Sequence, residues 1–285
     1  MPKRIKAKLT KKKKEYGESR SAGFVFVGEP VKLEVVEGQL YKYSIMLQLK
    51  KLDKKTRDLA LKIIRDYPNI QDASSQIRIL FNNFDVSDIS SKIKKETIKH
   101  LEKLDKLNTK NVNLSIKSMT GKFISITPSE SSKAILKSSI DEILLYYDSL
   151  TSDIIDKYRN LLNNAVVNGI DNQSIKNSII ETVSFSEKKA SRVAENLGRS
   201  LTSALTNQRM KNAGIKKFKW MHSSAGKAPR KLHVEYDGQL FSFDDPPVID
   251  EKTGQVGLPG QLINCRCRAI PVLEVEGDDT NDETN

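Results

Sequence analysis

Between Ser131 and Val167, the residues Leu136, Ile140, Ile143, Leu144, Tyr147, Leu150, Ile154, Tyr158, Leu161 and Leu162 return in step with the turn of an α-helix. A chain that commits this much length to one amphipathic helix must supply further helices to cover its apolar face. Weaker stripes of the same period lie upstream. Leu40, Ile45, Met46, Leu49, Leu52, Leu59, Ile63 and Ile64 predict a helix from Leu40 to Asp66, stopped by Pro68. A short helix is predicted at Ser74–Phe81. Another is predicted from Ser87 to Leu107, where Ile89, Ile93, Leu101 and Leu104 face inward and lysines outward. Downstream of the long helix Gly169 is a natural stop, and a short helix follows at Ser174–Thr182. Ser184 and Glu187 have capping-box spacing and open a further helix. Its apolar face is Ala190, Val193, Ala194, Leu197, Leu201, Ala204 and Leu205, and Gly214 ends it.

Two stretches before Gly214 break the helical pattern. "GFVFVGEPVKLEVV" alternates and predicts a short hairpin or an extended arm. "TKNVNLSIKSMTGKFISITPSE" is β-branched around Thr-Gly and predicts a loop or small hairpin.

After Gly214 the character changes. Proline, glycine and aromatic residues concentrate here, with the only two cysteines, Cys265 and Cys267. "FKWMHS", "QLFSF" and "CRCRAIPVL" are the candidate strands of a loop-rich module. The expected fold class is α+β, predominantly long α-helices followed by a small loop-rich C-terminal β module. The expected organisation is a basic, disordered arm over 1–22 and a mainly helical region over 23–130. A third domain over 131–273 holds helices at 131–213 and the β module at 215–273, and an acidic disordered tail occupies 274–285.

Charge bounds the partners. The formal net charge is +12, which favours a polyanion or an acidic protein surface. Met1–Lys14 carries eight basic side chains and no acid. That arm, with Lys11, Lys12, Lys13 and Lys14, and the basic face bearing Arg192 and Arg199 are the candidate contacts for DNA phosphates or an assembly partner. No run of about 18 apolar residues predicts a membrane span, and the basic start lacks the apolar stretch of a secretory signal. Two cysteines make no disulfide framework, which suggests a reducing compartment.

The module's landmarks fall in a fixed order: Trp220, Pro229-Arg230, His233, Asp237-Gly238 before Phe241, Pro259-Gly260, and Asn264-Cys265-Arg266-Cys267. Over roughly Ile154 to Leu273 this order resembles the phage Mu F-like head morphogenesis domain of minor head proteins in tailed double-stranded DNA bacteriophages. One departure stands out. Members often carry an acid between the tryptophan and the arginine, but "MHSSAGKAP" has none, with His222 in nearby space.

Each landmark also has a plain physical reading. Trp220 is expected to pack in the core with its N–H satisfied. Arg230 is suited to fork onto a carboxylate or phosphate. Asp237-Gly238 reads as a hairpin turn and Pro259-Gly260 as another turn, while Asn264 is placed to hydrogen-bond the neighbouring loop. His222, His233, Cys265 and Cys267 supply the donor atoms that zinc prefers. Against zinc stands the spacing, since two thiols flanking one residue of a regular strand lie on one face about 7 Å apart. A zinc site, a packed reduced pair and a disulfide or redox pair all remain open at this point.

Catalytic readings are weaker. The sequence has no phosphate-binding glycine loop. A Cys267–His233 nucleophilic pair lacks an oxyanion element and an orienting acid. Glu274–Glu276 looks superficially like the Glu-x-Glu of ADP-ribosyltransferases without that class's other motifs. The resemblance therefore implies a non-enzymatic minor head protein. It would act in head morphogenesis inside the procapsid, against the portal and other capsid or scaffold proteins, and end in the virion near packaged DNA after assembly in the host cytoplasm. The alternatives are a zinc-stabilised nucleic-acid-binding protein, or a Cys/His or ADP-ribosyltransferase-type enzyme.

Overall fold

The computed structural model describes residues 24–31, 35–121, 126, 128–224 and 229–275. The basic arm, with Lys11, Lys12, Lys13 and Lys14, and the acidic residues 276–285 lie outside the described residues. The fold is α+β, as expected: long helices followed by a small β module. It divides into two compact units drawn from interleaved stretches, one from 35–102 and 137–198, the other from 1–34, 103–136 and 199–285.

The helical unit follows from periodicity. Helix α1 (Val35–Asp66) buries Tyr41, Ile45, Leu49, Leu52, Thr56, Ala60 and Ile63, at repeating spacings of four, four and three residues. That spacing keeps the side chains on one stripe of the helix. A 3-10 turn at Ile70–Ala73 follows Pro68 and leads into α2 (Ser74–Asn82). Helix α4 (Glu130–Asn168) repeats the stripe with Ile143, Tyr147, Thr151, Ile154, Tyr158, Leu162 and Ala165. Gly169, at φ 63, ends it in the left-handed conformation that glycine adopts without penalty. Asp171 then caps α5 (Asn172–Glu181) by accepting the Ser174 N–H at 2.9 Å. The Asn172 amide closes the end of α1 by donating to the carbonyls of Ile64 (3.2 Å) and Tyr67 (2.8 Å). The apolar cluster of this unit joins Ala60, Ile63, Ile70, Ile77, Phe81, Tyr158, Leu162, Ile175 and Ile179.

Helix α3 (Ser87–Thr120) corrects the expected end at Leu107 and the loop or hairpin expected after it. Its later turns are rich in Asn, Thr and β-branched residues, which favour other conformations in isolation. Burial overrides that preference. Val112, Ile116 and Met119 enter the core of the mixed unit, and the Asn108 amide donates to Thr206 Oγ1 at 2.7 Å. Gly121, at φ 68, supplies the actual stop.

Helix α6 (Glu187–Asn212) begins two residues later than expected. Ser186, not Ser184, caps it: its Oγ accepts the Lys189 N–H at 3.3 Å and its carbonyl accepts the Ala190 N–H at 2.9 Å. Ser184 instead donates to the Asp53 carboxylate, which also accepts from Tyr158 Oη at 2.7 Å.

The module comprises β2 (Lys217–Met221), α7 (Lys231–Glu235), β3 (Leu240–Ser242), β4 (Val248–Asp250), β5 (Gln255–Val256) and β6 (Arg268–Val275). The short helix α7 was not anticipated. Among the described residues, "GFVFVGEP" takes the extended alternative rather than the hairpin. Its strand β1 (Phe24–Val27) pairs antiparallel with β6, with Val25 opposite Glu274. The resulting antiparallel sheet has the order β1-β6-β2-β3, and β4 and β5 form a separate two-stranded ribbon. Glu274 therefore opens no tail: it lies inside β6 and accepts from Lys217 Nζ at 2.9 Å. The core of this unit gathers Val31, Val112, Ile116, Met119, Met210, Ile215, Phe218, Trp220, Phe243, Ile249, both cysteines and Ala269.

Candidate functional site

The sheet and the loops at its end bring three of the four candidate ligands together. His233 lies on α7, while Cys265 and Cys267 lie on the loop entering β6. This corrects their expected place in a regular strand. Asn264 adopts φ 61 and Gly260 φ 85, so the loop is wound rather than pleated. Both thiols consequently turn inward. His233 Nδ1 lies 3.5 Å from Cys265 Sγ and 3.7 Å from Cys267 Sγ. The donor atoms of the three residues all lie within 4.8 Å of one another. The three residues are buried, at 2%, 6% and 3% exposure.

His222 does not join them. It follows β2, where its N–H donates to Asp237 Oδ1 at 2.8 Å and its Nδ1 accepts the Ser224 N–H at 3.3 Å. Asp237-Gly238 is likewise not a hairpin turn. It is the exit from α7, where Gly238, at φ 83, donates its N–H to the Trp220 carbonyl at 2.9 Å. Arg230 finds no carboxylate among the described residues. It donates from Nη2 to the Ile263 carbonyl at 3.0 Å, fastening the cysteine loop to the start of α7. Pro259-Gly260 is a turn as expected, with Gly260 packed so closely against Ser203 that a Cβ would lie 2.1 Å from Ser203 Oγ.

Trp220 is fully buried, as expected. It stands edge-on to His233 at 5.1 Å and to Tyr236 at 5.3 Å. The expected partner for its N–H is missing: Nε1 reaches no acceptor at hydrogen-bond geometry. The indole N–H points toward the Cys267 sulfur and, as a weak donor, lowers that thiol's pKa slightly against the larger raising influences.

The electrostatics single out one thiolate. The hydrogen bond from Cys267 is the largest influence on Cys265 and lowers its pKa, burial opposes it, and His233 with the Cys267 and Gly260 N–H groups adds to the lowering. Cys267 moves the other way, raised first by its bond to Cys265 and then by burial. Burial alone would depress His233. Its bonds to the Cys265 sulfur and the Ile249 carbonyl outweigh that, and the net direction is upward. The result is one charge-assisted donor set of two sulfurs and an imidazole nitrogen.

Of the candidate nucleic-acid contacts, Arg192 and Arg199 are on α6. Arg192 is exposed and lines an open polar cleft of about 400 Å³ with Lys42, Glu187, Lys188, Ser191 and Glu195. Two of its walls are neutralised, by Lys42 with Glu195 at 3.4 Å and Lys50 with Glu187 at 3.0 Å. Arg199 is half-buried on the same helix.

Comparison with known proteins bears directly on this region. Residues 156–270 match the model of the family described as Phage Mu protein F like protein. That segment belongs to the Phage Mu F-like family. The match contains all the ordered landmarks from Trp220 to Cys267. An uncharacterized protein of Haemophilus influenzae is 35% identical over 126 residues, covering 44% of this chain and 27% of that relative. The chain thus spans about a quarter of that protein's length. No solved structure matches. Among the described residues no helix is long and apolar enough to cross a membrane.

Sequence reasoning missed two members of the site's surroundings. Ile249, whose carbonyl accepts from His233 Nε2 at 2.9 Å, acts through its backbone and leaves no signature in a side-chain pattern. Ser203 is an unremarkable position on an amphipathic helix until Gly260 packs against it.

Proposed function

We propose that this protein is a minor head protein of a tailed double-stranded DNA bacteriophage or prophage, acting in head morphogenesis inside the procapsid. The match of residues 156–270 to the Mu F-like family carries this reading. Its mechanism is non-catalytic. The C-terminal module is a rigid docking piece, with zinc at the Cys/His cluster as its internal tie. The portal is its partner, together with other capsid or scaffold proteins, and packaged DNA lies nearby in the virion. The net charge of +12 supports sequence-independent contact with phosphates, through Lys11, Lys12, Lys13 and Lys14 and through Arg192 and Arg199.

Co-purification of the full chain with its cognate portal protein tests the docking. Retention at physiological salt is the expected result, and no retention at any salt sinks it. Titration of duplex DNA over a range of salt tests the second contact, with affinity expected to fall log-linearly as salt rises. Tight DNA binding with no affinity for portal or procapsid would favour the zinc-stabilised nucleic-acid-binding alternative.

A further inference from the structure

We propose that His233, Cys265 and Cys267 are the complete set of protein ligands for one structural zinc ion per chain, and that the recognisable landmarks of the module are the shell that holds them. This rests on the zinc reading of the cluster and is independent of any contact with the portal.

The distances favour a metal over a plain hydrogen-bonded cluster. Tetrahedral zinc, with Zn–S near 2.3 Å and Zn–N near 2.0 Å, sets a ligand sulfur and nitrogen about 3.6 Å apart. The two sulfurs stand 3.5 and 3.7 Å from His233 Nδ1. A neutral imidazole nitrogen has a single lone pair and accepts one S–H. In that account the second thiol bonds the first sulfur rather than the imidazole, whereas a metal ion at the centre accounts for both sulfurs standing at nearly the same distance from Nδ1.

The imidazole is already set for coordination. Its Nε2 meets the Ile249 carbonyl at 2.9 Å, which fixes the N–H on the outer nitrogen and leaves the Nδ1 lone pair facing the sulfurs. Ligating histidines are oriented by this same kind of outward bond. The sulfurs are supported as well: the N–H groups of Cys267 and Gly260 bond Cys265, and that of Ser223 bonds Cys267. Two soft sulfurs and an imidazole in a buried position select zinc over the oxygen-loving divalent ions.

The landmarks acquire one common purpose in this arrangement. Trp220 packs edge-on against the ligand imidazole. Arg230 ties α7 to the cysteine loop through Ile263. Gly260 and Asn264 take the left-handed conformations that turn both thiols to one side. His222 is engaged elsewhere with Asp237 and Ser224, and among the described residues no fourth His, Cys, Asp or Glu joins the three. Among the described residues this leaves the fourth position to a small non-protein ligand such as water.

Full-length protein from zinc-supplemented cells, purified without chelator, tests the proposal by elemental analysis. The expected content is about one zinc per chain. Cys265→Ser and Cys267→Ser are expected to lower zinc retention by more than about tenfold, with His222→Ala unchanged. Because the serine variants can fail to fold, cobalt substitution of the wild-type protein gives a second readout. Thiolate-to-cobalt charge-transfer absorption with tetrahedral d–d bands is expected, and X-ray absorption on the zinc form should show two sulfurs and two lighter neighbours. Folded wild-type protein with no zinc and no cobalt spectrum overturns both the proposal and the zinc reading beneath it. Bound zinc that is lost in His222→Ala, or that shows more than two sulfurs, keeps the zinc reading and overturns this ligand set.

Discussion

The helical unit and the C-terminal module solve the same problem in opposite ways. In the helical unit α1 and α4 run for 32 and 39 residues, and each closes its own backbone hydrogen bonds. Its buried surface is spread over many aliphatic side chains of similar size. In the module the strands are two to eight residues long. Cohesion there gathers in a few aromatic rings, one histidine, two cysteines and the turns that aim them. Stability in the first region is distributed, so single changes should be absorbed. In the second it is concentrated, so a handful of positions should decide whether the module exists.

Removal of Trp220 should have the largest effect. Trp220→Ala is expected to cost about 3–5 kcal/mol in urea unfolding, because it empties the space between His233, Tyr236 and Phe241. Ile63→Val, in the helical unit, should cost only about 0.5–1.5 kcal/mol. Equal losses would break the contrast.

The helices of the mixed unit hold a concentrated feature of their own. Arg209 is 1% exposed and donates to Asp105 and Asn108. Asp105→Ala leaves that guanidinium buried without its acid, and a loss of about 2–3 kcal/mol is expected after allowance for the partial exposure of Asp105. Replacing Asp105 and Arg209 together by leucine and methionine should recover most of it in the same melts. A double variant as unstable as the single one would show that the pair does more than neutralise itself.

Two glycines sharpen the comparison at smaller scale. Gly214 (φ 79) and Gly260 (φ 85) both sit in the left-handed region, but only Gly260 has a neighbour in the way of a Cβ. Gly214→Ala should cost about 1–2 kcal/mol for the backbone alone. Gly260→Ala should cost measurably more, and the excess should shrink in a Ser203→Gly background.

The helical unit also carries a contribution that shows only at high pH. Burial, and then the bond to Asp53, push the Tyr158 hydroxyl up to about 12 from 10.0, with Arg57 opposing. The folded state holds this proton more tightly than the unfolded state does. Its contribution is therefore fully present below pH 10 and is lost as pH rises through 12. Thermal melts across that window should fall more steeply for the wild type than for Tyr158→Phe. Parallel curves would remove Tyr158 from the account.

Much of the helical unit could be read in advance, because a three-and-four spacing of apolar residues has one simple physical solution. The starts of α2, α4 and α5 lay within two residues of their expected positions. What escaped depended on distant partners. The later turns of α3 look unlike a helix until Val112, Ile116 and Met119 find their core. Strand β1 looks like half of a hairpin because its true partner lies at the other end of the chain. In the site, the choice of His233, Cys265 and Cys267 was legible from donor chemistry, but their convergence was not. It depends on a positive φ at Asn264, a residue that is compatible with that conformation but does not require it. His222 was equally plausible by type, but its ring lies apart from the three and its Nδ1 accepts the Ser224 N–H instead.

The pairing of β1 with β6 also sets an order of events. Residues 24–27 leave the ribosome early, and their partners 272–275 are synthesised some 250 residues later. Until then one flank of the sheet has no strand to receive, and β1 has nowhere to go. Contacts between such remote segments form late and slowly. The nascent protein would therefore carry a completed set of helices alongside an unfinished sheet. A stretch cut to residues 156–270 would retain β2 and β3 but lose β1, most of β6 and the α3 residues that line the core. The boundary of inherited sequence similarity and the boundary of independent folding fall in different places in this molecule.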